Sequence, residues 1–405
     1  MITPGTELPV FPADRDPRCP FDPAPEYREW REGGGLRRVN WNGDDAWAVS
    51  RYQDIQAAMT DPRISAEVPQ QQGSAEHHGD AMPQVFPRMD DPEHAVLRRM
   101  LTKDFTVRRV NALRPEIERM SHDLIDAMVA KGGPADLVQD YALPVPSLVI
   151  CLLLGVPYSD HDFFQETTSV LMSRTATEEE KQEANGQIFG YLYQLVARKE
   201  AEPDDALISR LIREYLPTGE LTRETIAMNS FILLNAGHET TANMIGLSTL
   251  ALLENPHTLA RIRDTDDPKV ISSAVEELLR YLTIVHSLVA RVAKEDVEIG
   301  GTLVRAGEVL VMNLPAANRD PGLHEEPDTL DIDRSTRAHV AFGHGVHQCL
   351  GQTLARAELE IALPALLRRL PDLRLAVPRE QIRFRGDMSI YGVHTLPVAW
   401  SATRG

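Results

Sequence analysis

Apolar residues recur at three- and four-residue intervals through 117–130, 191–200, 207–215, 222–254, 270–282 and 352–369, the pattern of helices with one buried stripe. Short β-branched or alternating runs at 36–39, 46–49, 297–299, 309–312 and 396–400 predict strands. The expected fold is mainly α with small β-sheets, the strands lying near the two ends. No Gly/Ser-rich or Pro-rich linker and no internal repeat divides the 405 residues, so one domain over 1–405 is expected.

The longest periodic segment starts at Thr222, an N-cap type with Glu224 in the first turn, and stops at Asn255-Pro256. At 1.5 Å per residue it spans about 50 Å, enough to cross the whole domain. Its interior carries Ala236-Gly237-His238-Glu239-Thr240-Thr241. Gly and Thr are poor helix formers, which marks a weak point in a long helix. Gly237, Thr240 and Met244 share one face and would leave room for a flat ligand against the backbone. Glu239 beside Thr240 places an acid next to an alcohol inside an apolar span, the pairing a proton path needs. Position 242 is Ala, so the zinc-protease pattern H-E-x-x-H fails.

Cys349 lies in Phe342-Gly343-His344-Gly345-Val346-His347-Gln348-Cys349-Leu350-Gly351, just before a helix expected from Gln352. Free N–H groups and the positive dipole end of a helix favour a thiolate there, suited to binding a metal. A dinucleotide loop would need glycine at 348, which is Gln. A zinc reading of His344, His347 and Cys349 lacks paired cysteine spacing, since Cys19 and Cys151 stand alone.

Composition narrows the function classes further. A net charge of −18 argues against nucleic-acid binding. The three cysteines form no disulfide framework and fit a reducing cytoplasm. Residues 1–31 hold no apolar stretch near the ~18 residues a membrane span needs, so no membrane anchor is expected. The Glu178-Glu179-Glu180 run reads as a solvated helix start.

The motif F-G-x-G-x-x-x-C-x-G around Cys349 resembles the haem-binding loop of the cytochrome P450 family, and Ala236–Thr241 resembles that family's oxygen-binding groove. The likeness extends from the Trp47–Arg51 region to Tyr391–Pro397. It implies the family's α-rich triangular prism with a minor β-rich subdomain, haem b as cofactor, and Cys349 as iron ligand. Phe342, Gly343, His347 and Gly351 of the loop, with Ala236, Gly237 and Thr240, would line the haem site. His94, Arg98, Arg291 and His339 would meet the propionates. Glu277 and Arg280 match E-x-x-R, with Arg334 as third member. Thr240 would steady dioxygen and Glu239 relay protons, so Thr240→Ala should release peroxide.

The implied activity is a monooxygenase that inserts one atom of O2 into a C–H bond of a hydrophobic small molecule. The chain has no flavin, nicotinamide or iron–sulfur fingerprint, so electrons would come from a ferredoxin and its reductase. Arg98, Arg99, Lys103, Arg108, Arg109 and Arg356 form either a docking face for that donor or an ordinary solvated helix face. A haem-thiolate reductase or peroxygenase, a haem sensor and a non-haem thiol enzyme are the competing readings. Apolar segments at 64–86 and 163–172, with Leu233, Ala236, Leu288, Val289 and Ile390, would shape the substrate pocket. The aperiodic stretch 69–82 reads as an entrance flap. A cytoplasmic monomer is expected.

Overall fold

The computed structural model describes residues 7–68, 85–334 and 338–404; the flap expected at 69–82 lies outside them. The N-terminal part holds β1 (Val10–Phe11), α1 (Glu26–Glu32), β2 (Leu36–Trp41), β3 (Asp44–Val49), α2 (Tyr52–Thr60) and β4 (Ile64–Ser65). Next come α3 (Glu93–Thr102), α4 (Val107–Lys131), β5 (Ala135–Asp136), α5 (Pro144–Leu154), α6 (His161–Met172), α7 (Glu178–Ala201), α8 (Leu207–Tyr215) and α9 (Arg223–Leu253). Beyond them are α10 (Pro256–Asp264), α11 (Pro268–Leu282), β6 (Ala290–Ala293), β7 (Val297–Ile299), β8 (Thr302–Val304) and β9 (Val309–Met312). The chain finishes with α12 (Leu314–Ala317), α13 (Gln352–Arg369), β10 (Arg374–Leu375) and β11 (Pro397–Ala399).

Local chemistry explains most boundaries. The Thr222 hydroxyl accepts the Thr225 N–H at 3.2 Å and starts α9. Thr177 and Glu180 close a reciprocal capping box on α7, which accounts for the acidic run at its start. The weak point expected in α9 does not break it: the helix is continuous through Thr240, whose Oγ1 donates to the Ala236 carbonyl at 2.7 Å. α5 has no amphipathic period because nearly every position is buried. Its prolines, Pro144 and Pro146, sit in the first turn, where the missing N–H costs little.

The strands expected at 36–39, 46–49 and 309–312, from opposite ends of the chain, meet in one sheet of order β1-β2-β3-β9-β6-β4. β3 pairs in parallel with β9, Trp47 facing Leu310, so an N-terminal hairpin is sealed by residues from the last quarter of the chain. A three-stranded sheet β10-β11-β5 and the hairpin β7-β8 complete the β content among the described residues. No helix there is long and apolar enough to cross a membrane.

Two helical cores meet along α9 and α13. One gathers 242–252 of α9 with α11 and the later turns of α13; the other gathers 226–234 of α9 with α3 to α8 and the first turns of α13. Each fully buried Leu or Ile on these faces contributes roughly 1.5–3 kcal/mol. The seam between α9 and the start of α13 is where the chemistry-bearing residues gather.

Candidate functional site

The loop before α13 is wound tightly. Gly343 and Gly345 both hold φ near +70°, a region that L side chains rarely adopt. A Cβ on Gly345 would come within 2.6 Å of the Met59 carbonyl oxygen, so that glycine is also a packing requirement. The Cys349 N–H closes the loop by donating to the Phe342 carbonyl at 2.9 Å. Burial pushes the Cys349 thiol up, against hydrogen bonds from the Gly351 and Gln352 N–H groups and the charges of Arg98 and Arg356. Cys349 has exposed surface although protein surrounds it, because that surface is cavity wall.

The cavity measures about 370 Å³. α9 contributes Leu233, Ala236, Gly237, Thr240, Thr241 and Met244, and the cysteine loop contributes Phe342, Gly343, His347, Cys349 and Gly351. Leu288 and Val289 also line it. Ile390 does not: it backs the wall from behind, bridged to the cavity residue Val285. Gly237 borders the cavity as expected. A Cβ there, however, would come within 2.9 Å of the Ile150 side chain of α5, so its smallness also serves helix packing.

Two arginines and a histidine cluster at this cavity. Arg98, Arg291 and His347 line it, and among the described residues none has a carboxylate within ion-pair distance. Arg98 donates to the Gln348 carbonyl and Arg291 to the Ala290 carbonyl at 2.7 Å. His94 lies behind the cavity wall with its Nδ1 on Asp91 at 3.0 Å, but its ring is 4.0 Å from that of His347, and His94 Nε2 and His347 Nδ1 are buried without a partner. Burial, then the charges of Arg291, His94 and Arg98, pushes His347 down to about 4. A surplus of positive charge with orphaned donors, beside apolar walls and a thiol flanked by backbone N–H groups, fits haem and its two propionates.

His339 is placed otherwise. Its Nδ1 accepts the Ala341 N–H at 3.1 Å, and its Nε2 donates to Glu276 at 3.1 Å. Both ring nitrogens are occupied and the residue does not line the cavity, so its assignment as a propionate partner is corrected to a strut for Glu276. Glu276 also binds Arg356, whose guanidinium lies 4.6 Å from the centre of the Phe342 ring. Burial raises the Glu276 carboxyl, but the bonds from His339 and Arg356 outweigh it and hold the group at about 2.

Glu277 and Arg280 form a fully buried two-pronged pair at 2.8 Å. Arg280 also donates to the carbonyls of Asn318, Pro327 and Thr329. Arg334 approaches Glu277 at 3.6 Å, so the three residues named from the resemblance do meet. Removing one partner would strand a buried charge at a cost of roughly 3–5 kcal/mol.

Glu239 departs from expectation. It is 3% exposed and lies outside the cavity wall. Its Oε2 takes Arg385 Nη2 at 3.0 Å and Asn243 Nδ2 at 3.2 Å. Neighbouring helix positions point about 100° apart, so Thr240 faces the cavity while Glu239 faces a buried ion pair. Arg385 carries no local sequence signal, since its partner is on a distant helix. Glu358 was also missed. It is 2% exposed, borders the cavity, has an Oε2 with no partner, and is raised well above the usual carboxyl range by burial. A signal existed: it falls on the apolar stripe of Leu354, Ala357 and Ile361.

A family model described as Cytochrome P450 matches residues 31–380. The chain is 54% identical over 398 residues to Cytochrome P450-SU2 of Streptomyces griseolus, covering 96% of this chain and 97% of that relative. It is 47% identical over 408 residues to pentalenic acid synthase of Streptomyces avermitilis, covering 99% and 100%. Among solved structures, the mycinamicin VIII C21 methyl hydroxylase MycCI of Micromonospora griseorubida, bound to mycinamicin VIII, superposes with a TM-score of 0.90 at 40% identity, covering 97% of this chain and 100% of that one.

Proposed function

The chain belongs to the cytochrome P450 family, and from that premise we propose that this haem monooxygenase oxidises a C–H bond of an apolar natural product of polyketide, terpenoid or steroid-like size. Haem bound through a cysteine thiolate supplies the oxygen-activating chemistry. The protein's own share is to seat that group, exclude water and hold a proton source nearby.

One observation carries the reading. Cys349, with two backbone N–H groups at its sulfur, opens on the same cavity as Thr240 and as cations that have no carboxylate partner there. In this account Cys349 ligates the iron, and His94, Arg98, Arg291 and His347 hold the propionates. Phe342, Gly343, Gly351, Ala236 and Gly237 form walls. Thr240 offers its hydroxyl to the oxygen site and Glu239 relays protons towards it. Leu233, Leu288 and Val289 supply apolar contact to substrate. Pentalenic acid synthase and the mycinamicin-bound structure support a natural-product substrate.

Electrons would enter from a ferredoxin docked at Arg99, Lys103, Arg108 and Arg109, which are exposed on α3, α4 and their junction. Arg98 and Arg356 leave that set, since one lines the cavity and the other binds Glu276. The test is spectroscopic, then chemical. The reduced, carbon-monoxide-treated protein should show the red-displaced Soret band of a thiolate ligand. A natural-product panel should then yield spin-state shifts, and those hits should gain one oxygen atom. A reduced protein lacking that band defeats the reading, as does Cys349→Ser that retains it.

A further inference from the structure

His238 lies on α9 directly before Glu239 and is 2% exposed. Its Nδ1 is 3.1 Å from the Leu234 carbonyl oxygen. Its Nε2 is 3.1 Å from Thr168 Oγ1 on α6 and 3.9 Å from Glu239 Oε1. A carbonyl oxygen only accepts, so Nδ1 carries a hydrogen. Thr168 has a single hydroxyl proton, committed to the Phe164 carbonyl at 2.6 Å. The Thr168 oxygen is also the partner of His238 Nε2, so the ring is held between α9 and α6.

Glu239 is the acid within reach of the ring, and its carboxylate stands between the Arg385 guanidinium at Oε2 and the His238 ring at Oε1. One comes from the C-terminal segment, and the other is steered by α6. We infer that His238 is a positioning residue for the proton-delivery carboxylate: anchored to α6 through Thr168, it competes with Arg385 for Glu239 and makes the carboxylate's orientation depend on α6 being seated on α9. The inference rests on the proposed role of Glu239.

The first test reads the His238 ring in the diamagnetic ferrous carbon-monoxide form of the holoprotein, labelled with ¹⁵N-histidine. The signal lost in His238→Gln should be displaced in both Thr168→Val and Glu239→Gln; a signal that neither variant moves overturns the inference. The second test needs no organic substrate: donor-driven dioxygen consumption with a ferredoxin and its reductase. His238→Phe and Thr168→Val should each slow it about tenfold, a modest share of what positioned proton transfer contributes. The solvent deuterium isotope effect should roughly double in both. Added to Glu239→Gln, His238→Phe should have no further effect. Unchanged rates and isotope effects in Thr168→Val overturn the inference even if His238→Phe fails to fold. A wild type without the thiolate carbon-monoxide band would instead defeat the functional reading.

Discussion

Glu239 Oε2 and Arg385 Nη2 meet at 3.0 Å, tying the middle of α9 to the turn before the last strand. Both residues are buried, and Asn243 adds a hydrogen bond to the same oxygen. The carboxylate next to the cavity residue Thr240 is therefore anchored from a segment remote in sequence. Proton delivery to the cavity would require it to turn away from Arg385.

Arg385→Met should strand the Glu239 charge and lower unfolding stability by about 3–5 kcal/mol. Replacing both residues by Met should recover most of that loss, because a buried pair is often exchangeable for apolar groups of similar volume. Urea unfolding of the two single variants and the double variant measures the coupling. Additive losses would show that the contact contributes nothing specific.

Glu276 makes stability depend on acid. Its folded carboxyl titrates at about 2 against an ordinary 4.5, so it contributes fully above about 4.5. That contribution, about 3 kcal/mol at 1.4 kcal/mol per unit of pKa, is lost as pH falls towards 2. The stability difference between wild type and Glu276→Gln should shrink to nothing over that window in pH-dependent unfolding. A difference that stays flat would assign the effect elsewhere.

Glu358 acts with the opposite sign. Burial raises its folded carboxyl, so the native state keeps a proton that the unfolded chain has given up. Stability of wild type relative to Glu358→Gln should fall by about 1.4 kcal/mol per pH unit above roughly pH 4.3, until the buried group ionises. Near-neutral pH should thus favour the Gln variant. The same unfolding series, run from pH 4 to 8, reads this directly.

Thr240→Ala removes the hydroxyl at the cavity without touching the Glu239–Arg385 pair. Electron consumption should continue while oxygenated product falls about tenfold or more and peroxide rises, the magnitude expected when a positioned acid–base group is lost. Peroxide and product per electron pair, measured with a compound that shifts the spin state, decide it. Unchanged coupling would remove Thr240 from the reaction and point to Thr241, which lines the same cavity.

Several features were legible without coordinates because their causes are local. The glycines around Cys349 answer to backbone angles and to one close approach by Met59. The Glu277–Arg280 pair follows from one helical turn, as does the cap on α9. α5 hid because a helix buried at nearly every position has no period to read. His339 misled because a histidine near a motif says nothing about which acid its ring will find; Glu276 on α11 took both its attention and that of Arg356.

Spacing along the chain thus settled which residues share a face, which turn needs glycine, and where a thiol meets a helix start, since bond geometry repeats over a few residues. Packing alone chose the partners across the fold: Arg385 for Glu239, Thr168 for His238, and the cluster of His94, Arg98, Arg291 and His347. Electrostatic and hydrogen-bond partners are fixed by distances of about 3 Å between atoms, and such distances exist only once α6, α9, α13 and the C-terminal segment have closed on one another.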